Sequence, residues 1–298
     1  MRYIIDTDPG IDDAIAICMG YLNKLDIIGF TLATGNVETE KSANNLKVIQ
    51  DFLKSNIKMY KGTIENVGDR KTAMYAHGYD GLGYAVFPKN NRQFERGSAE
   101  NFIIKASKKY RDNLTIICLG PLTNLASAIK KDPNLVKRVS RVVIMGASYN
   151  PRNKKLYREF NIGVDVDSAN LVLSAGFKDV RIVTHEIGVK AFIEKDYVLN
   201  LRDSDNIVSR FVGVIALKYM DFSKDHYNVS GLCSPDPITM AYVIDEEIVK
   251  FKPCVIKIAD GKTTAGESHI TFEEESNIFI SYRFDEEKYR KLFKGTFN

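Results

Sequence analysis

Short apolar runs alternate with helical patterns through the first two thirds of this chain, and that alternation narrows the fold more than any other feature. Arg2-Tyr3-Ile4-Ile5 reads as a buried strand and leads through an acidic turn into an apolar helix, Ala14 to Leu22. Asp26 to Thr34 predicts a second strand. Glu38 to Leu53 predicts a helix with its apolar stripe at Ala43, Leu46, Ile49, Phe52 and Leu53. Strands at Ile57 to Tyr60, Leu114 to Leu119, Val139 to Met145 and Val180 to Thr184 are interleaved with helices at Ala99 to Tyr110, Leu122 to Lys131 and Val166 to Ala175. Repeated βαβ units of this kind imply an α/β fold: an open, mostly parallel, Rossmann-like sheet flanked by helices.

Two departures from the alternation shape the rest. Glu194 to Ser223 is helical and polar at its edges, which predicts a helical cap insertion over approximately residues 190–232. Beyond Pro253 the segments Val255 to Ala259, Ser268 to Phe272 and Asn277 to Phe284 alternate like antiparallel strands, and Asp285 to Lys294 closes as a helix. The loop from Gly62 to Gly97 is the candidate for a lid. With no repeat or linker, residues 1–298 read as a single domain.

Composition excludes more than it assigns. An apolar fraction of 44% and a charged fraction of 27% are those of a soluble globular protein. The net charge of +4 is spread along the chain, so no nucleic-acid partner is expected. The densest basic stretch, Arg152 to Arg158, reads as a solvated loop. No apolar run is long enough to cross a bilayer, and no membrane partner is expected. Cys18, Cys118, Cys233 and Cys254 lack paired spacing, which argues against zinc or disulfides and for a reducing, cytoplasmic location.

The acidic turn carries the chemistry. Asp6-Thr7-Asp8-Pro9-Gly10-Ile11-Asp12-Asp13 places four carboxylates between the first strand and its helix. Two unit charges about 4 Å apart repel by roughly 4 kcal/mol at an effective dielectric near 20. Asp is a good helix cap, which accounts for one or two of these residues. Capping does not account for Asp6 and Asp8, two apart on a strand and therefore on one face at its carboxyl end, where open α/β sheets place ligands. A bound hard cation, calcium or magnesium, is the simplest compensation.

Other strand ends carry polar interruptions. These are Thr34-Gly35-Asn36, Gly120-Pro121-Leu122-Thr123-Asn124, Met145-Gly146-Ala147 followed by Asn153 and Glu159-Phe160-Asn161, and Ser234-Pro235-Asp236-Pro237. Each alone is ordinary turn or cap chemistry. Together they set amides and acids suited to sugar hydroxyls at successive strand ends, where an unpaired buried polar group costs ~1–3 kcal/mol and so discriminates strongly.

With these motifs in hand, the chain resembles the inosine-uridine-preferring nucleoside hydrolase family over nearly its whole length. The resemblance is carried by DTDPGIDDA at Asp6 to Ala14, ATGN at Ala33 to Asn36, LGPLTN at Leu119 to Asn124, MGA at Met145 to Ala147, EFN at Glu159 to Asn161 and DP at Asp236-Pro237. It implies one calcium ion held by Asp8, Asp13, Asp236 and the backbone carbonyl of Thr123. It implies ribose gripped by Asp12, Asn36, Glu159 and Asn161 with Asn153 and Met145 close by, and Asp6 as a support behind the metal ligands. The activity it implies is hydrolysis of ribonucleosides to free ribose and a nucleobase by a homodimer or homotetramer. An oxocarbenium-like state needs a nearby carboxylate and a positioned water, and Asp8 can accept the proton.

One departure stands out. Several members of the family carry a histidine just before the metal aspartate, where it protonates the departing base; here that position is Pro235, after Ser234. His226 and Tyr227 in the cap, and His77 in the lid segment, become the candidates for this role, whereas His185 is expected to be structural. The chain has no tryptophan to stack on the base. Two other readings remain at this point. One is a haloacid-dehalogenase-like magnesium phosphatase with Asp6 as nucleophile. The other is a family member that binds calcium and ribosyl groups but has lost catalysis.

Overall fold

The computed structural model describes residues 1–62, 72–88, 90–149 and 158–298. Its strands are β1 (Arg2–Thr7), β2 (Ile27–Leu32), β3 (Met59–Lys61), β4 (Leu114–Cys118), β5 (Arg141–Met145), β6 (Val180–Val183), β7 (Phe192–Glu194), β8 (Gly231–Cys233), β9 (Val249–Ile258), β10 (Ser268–Phe272) and β11 (Ile278–Phe284). Nine of them form one sheet in the order β10-β9-β11-β6-β5-β4-β1-β2-β3, and β7 pairs with β8 separately. From β3 across to β11 every neighbouring pair is parallel. This is the open, mostly parallel α/β sheet that the alternation predicts.

Strands this apolar require cover on both faces, and they have it. Ile4 and Ile5 are adjacent in β1 and enter different core clusters, one on each side of the sheet. All of β4, Leu-Thr-Ile-Ile-Cys, is buried. The chain builds β1, β2 and β3 outward in one direction and then returns to place β4 on the other side of β1. Strand order therefore reverses between β1 and β4, which is where a ligand crevice opens in such sheets.

Several boundaries differ from the sequence expectations. β1 runs through Thr7, so Asp6 lies within the ladder, and the following helix begins at Ile11. The C-terminal strands are antiparallel to one another, as their alternation predicts. β9 pairs antiparallel with both β10 and β11, but β11 also pairs parallel with β6 and so extends the main sheet. β9 begins at Val249 and continues through Pro253. The cap segment consists of β7, helices Lys195–Arg202 and Ile207–Tyr227, and β8, the two helices being separated by a turn closed by Asn206, whose side chain accepts from the N–H groups of Val208 and Ser209.

Part of the expected lid, residues 63–71 and 89, lies outside the described residues, and its described portion contains a short helix, Met74–His77. The four cysteines are free and buried. Among the described residues no helix is long and apolar enough to cross a membrane.

Candidate active site

Asp8 leaves the end of β1 at the point where strand order reverses, and its carboxylate is fully buried. Oδ2 accepts the Asn36 backbone N–H at 2.7 Å, whereas Oδ1 has no hydrogen-bond partner among the described residues. Two glycines make room for it. A Cβ on Gly35 would stand 2.2 Å from Oδ2, and one on Gly120 would stand 2.3 Å from Oδ1. The ATGN and LGPLTN turns thus close on the two sides of one carboxylate.

Helices Ile11–Leu22 and Pro235–Ile244 pack on each other and bring Asp12, Asp13 and Asp236 together in their first turns. One oxygen from each of the three lies within 4.8 Å of the others. Asp236 stands in the first turn of its helix, whose N-cap residue, Ser234, makes no side-chain capping bond. Asp13 is tightly held: it accepts from Thr7 Oγ1 at 2.5 Å, from the N–H of Gly10 at 3.0 Å and from Asn36 Nδ2 at 2.9 Å. Asp6 lies behind the cluster, accepting from Thr31 Oγ1 at 2.5 Å and Asn124 Nδ2 at 2.8 Å. Thr123 opens the helix after β4, and its hydroxyl donates to Asp165 at 2.7 Å.

A cleft open to solvent sits above this cluster. Asp12, Asn36, Glu159, Asn161, Met145 and Asp236 form its polar floor. Glu159 is held by three backbone donors, the N–H groups of Ala147, Asn161 and Ile162 at 3.2, 2.9 and 2.9 Å. Asn161 spends its amide nitrogen on the Leu119 carbonyl at 2.6 Å and on the Met145 carbonyl at 3.3 Å. Asn153 lies outside the described residues.

This floor is electrostatically unbalanced. Burial, then the Asp13 charge, raises Asp8 well above the ordinary carboxylate range. Burial, followed by Asp12, Asp13, Asp8 and Glu159, does the same to Asp236. Burial pushes Asp12 up to about 6 and Glu159 up to about 7. No Lys or Arg stands among the described residues lining the cleft. A group of acids this buried, without a cation from the chain, has the character of a site for a hard metal ion.

The other side of the cleft is aromatic. Tyr219, Phe222 and Tyr227 descend from helix Ile207–Tyr227, and Tyr75 and His77 come from helix Met74–His77. Burial holds His77 down to about 4, so it is neutral. Its Nδ1 accepts the Ile11 N–H at 3.1 Å, which makes the 3.7 Å approach to Asp12 a contact rather than an ion pair. His226 is not part of the lining. It is exposed, with its ring against Phe222 at 4.3 Å and Tyr75 at 6.0 Å.

His185, expected to be structural, stands at the cleft, and its Nε2 lies 3.3 Å from the Tyr227 hydroxyl. Its place directly after β6 was a signal of the same kind as the other strand-end residues. Asp6 lies inside the β1 ladder, with Oδ1 engaged by Thr31 and Asn124, and is absent from the cleft lining.

Fold and site together define an open α/β protein whose cleft has an acidic floor and an aromatic wall. The family model for inosine-uridine preferring nucleoside hydrolase matches residues 3–291. Uridine nucleosidase 1 of Arabidopsis thaliana is 30% identical over 262 residues, covering 86% of this chain and 78% of that protein. The inosine-uridine preferring nucleoside hydrolase of Crithidia fasciculata is 26% identical over 298 residues, covering 97% and 94%. The purine-preferring ribonucleoside hydrolase from Gardnerella vaginalis superposes with a TM-score of 0.91 at 25% identity, covering 100% of this chain and 98% of that one. The chain belongs to the inosine-uridine preferring nucleoside hydrolase family.

Proposed function

We propose that this enzyme is a calcium-dependent ribonucleoside hydrolase that breaks the N-glycosidic bond to give free ribose and a nucleobase. The observation that carries the proposal is the buried floor itself, with Asp12, Asp13 and Asp236 clustered and an unpartnered oxygen on Asp8. The residues fit a cation: the donors are hard oxygens, suited to calcium, and no basic side chain among the lining residues competes for them. Asp8, Asp13, Asp236 and the Thr123 carbonyl would hold the ion. When bound, it supplies positive charge that eases deprotonation of a nearby water.

The chain's own groups do the rest. Asp8 takes the proton of the attacking water on its carboxylate. Asp12 lines the cleft whereas Asp13 lies behind it, which supports Asp12 as a ribose contact. The Asn161 amide nitrogen is already engaged, so Oδ1 is the atom it offers to a hydroxyl. Glu159, fixed by backbone donors, and Asn36, braced on Asp8 and Asp13, complete the grip. These remote contacts favour the flattened, cationic sugar of the transition state.

The test is release of reducing sugar from uridine, inosine, cytidine and adenosine, with and without a chelator. Ribose release that calcium restores after chelation is expected. Inert nucleosides, or turnover indifferent to chelation, would overturn the proposal.

A further inference from the structure

We propose that His185 is a positioning residue that orients the Tyr227 hydroxyl toward the departing nucleobase, so that Tyr227 supplies the leaving-group hydrogen bond at a site with proline before its metal aspartate. The inference rests on the nucleosidase reading and asks a further question of it: what stabilises the base as the bond breaks.

The cleft offers few donors on its aromatic side, and most are committed. Tyr219 directs its hydroxyl to Asp12 Oδ2 at 3.4 Å, on the ribose side. The His77 ring sits beside Asp12 with Nδ1 accepting the Ile11 N–H, so its proton lies on Nε2 and it keeps one donor there. Tyr75 is 58% exposed, and His226 does not line the cleft. Tyr227 and His185 differ from these in facing each other: both line the cleft and stand 3.3 Å apart through the hydroxyl and Nε2.

The fold fixes this pair from two directions. Tyr227 ends helix Ile207–Tyr227, where Asn228 turns left-handed and stops the helix. His185 follows β6 and opens helix His185–Lys190, with its own N–H on the Ala147 carbonyl at 3.1 Å. Its neighbour Glu186 is engaged by the Ser148 hydroxyl and by the Tyr149 N–H at 2.8 Å. His185 is thus left to Tyr227. Gly188, one turn on, sits where a Cβ would meet Pro235 at 2.5 Å, so the helix carrying His185 packs directly on the residue that stands in the histidine position.

The chemistry follows from the tautomer. With the proton on Nε2, His185 donates to the phenol oxygen and leaves the Tyr227 O–H free to point into the cleft. Burial raises Tyr227 and lowers His185, so both are neutral and the phenol keeps its proton across the working range. As the C1′–N bond breaks, its electron pair moves onto the base. The Tyr227 hydrogen bond strengthens against that charge, and the His185 N–H strengthens the phenol as a donor. The base takes its proton from water on release, so Tyr227 ends each turnover as it began.

The test compares nucleosides with 4-nitrophenyl β-D-ribofuranoside, whose leaving group needs no such help, in enzyme supplied with calcium. Tyr227→Phe is expected to lower kcat on uridine and inosine about 100-fold but to leave the nitrophenyl riboside within about threefold. His185→Leu should show the same selectivity at about 10-fold, and His185→Gln, which keeps an N–H donor, should recover most of it. Equal losses on both substrates, or none, would overturn the inference and leave the nucleosidase reading standing. Wild-type enzyme that releases ribose from no nucleoside would remove both.

Discussion

The two sides of the cleft are built on different principles. On the floor, almost every side chain is tied by short directional bonds: Asp13 by Thr7, Gly10 and Asn36, Glu159 by three backbone N–H groups, Asn161 by two carbonyls. The wall is held by ring packing, with Tyr219, Phe222 and His226 along one helix and Tyr75 laid across them. A directional network fixes positions to a fraction of an ångström but tolerates little change. Ring packing excludes water and adapts to shape. On the proposed function, a floor that places one sugar beneath a wall that meets the base calls for this division.

The sharpest way to break the comparison is Asp8→Asn. The amide oxygen can still accept the Asn36 N–H, so the fold should persist, while the proposed proton acceptor and metal ligand are lost. Activity should fall more than about 1,000-fold, in line with loss of an essential group. Stability should move the other way when metal is chelated. Asp8, Asp12, Asp6 and Glu159 are all raised, the last three to about 6, 7 and 7. A raised carboxylate contributes stability that is complete below its unfolded value near 4 and is lost as pH climbs through the folded one. His77 runs opposite: held down to about 4, its contribution is complete above its ordinary 6.5 and lost as pH falls through the folded value. The carboxylates outnumber it, so Tm of the chelated enzyme should drop between pH 4 and 7. The Asp8→Asn variant should melt higher than wild type at pH 7. A chelated wild type that melts higher at pH 7 than at pH 4 would show that the floor is not strained by charge.

Tyr219 joins the two sides, since its ring belongs to the wall and its hydroxyl reaches Asp12. If the floor depends on directional bonds, Tyr219→Phe should cost more than its small change in shape suggests. At 3.4 Å the bond is long, so the expected loss in kcat/KM is about 10-fold, the low end for a hydrogen bond to a charged group. The loss should appear with every nucleoside, because ribose is common to all. A loss confined to one base would move Tyr219 entirely to the wall.

The same contrast explains what could be read before the structure was known. The apolar alternation located the parallel strands because each is buried on both faces and therefore reads as a continuous run. Asp6 to Asp13 and the later strand-end motifs were legible because a floor of directional bonds needs specific residue types at fixed offsets along the chain. The wall left a fainter trace: His185 followed a strand end, and His77 and Tyr227 stood out only as candidates for a missing histidine. Tyr75, Tyr219, Tyr227 and His185 come from three separate helices, and only tertiary packing brings them together. The antiparallel character of the C-terminal strands was legible from their alternation, whereas the second, parallel partner of β11 was not, because local pattern cannot specify which strand lies on its other side.

His226 shows how the wall misleads. Its position near the end of the cap helix, shortly before Asp236, suggested a proton donor. The helix instead turns it outward, where its Nδ1 lies 3.2 Å from the Phe222 carbonyl one turn back. What remains is ring contact with Phe222, and an exposed aromatic pair of this kind is worth about 0.5–1.5 kcal/mol of packing. His226→Ala should therefore leave kcat on uridine and inosine within about twofold, with any change confined to KM through a looser Phe222. Parallel losses on nucleosides and on the nitrophenyl riboside would mean that the ring props the wall as a whole. A tenfold fall on nucleosides that spared the nitrophenyl riboside would instead place His226 at the base, which requires the end of the cap helix to fold inward when substrate binds.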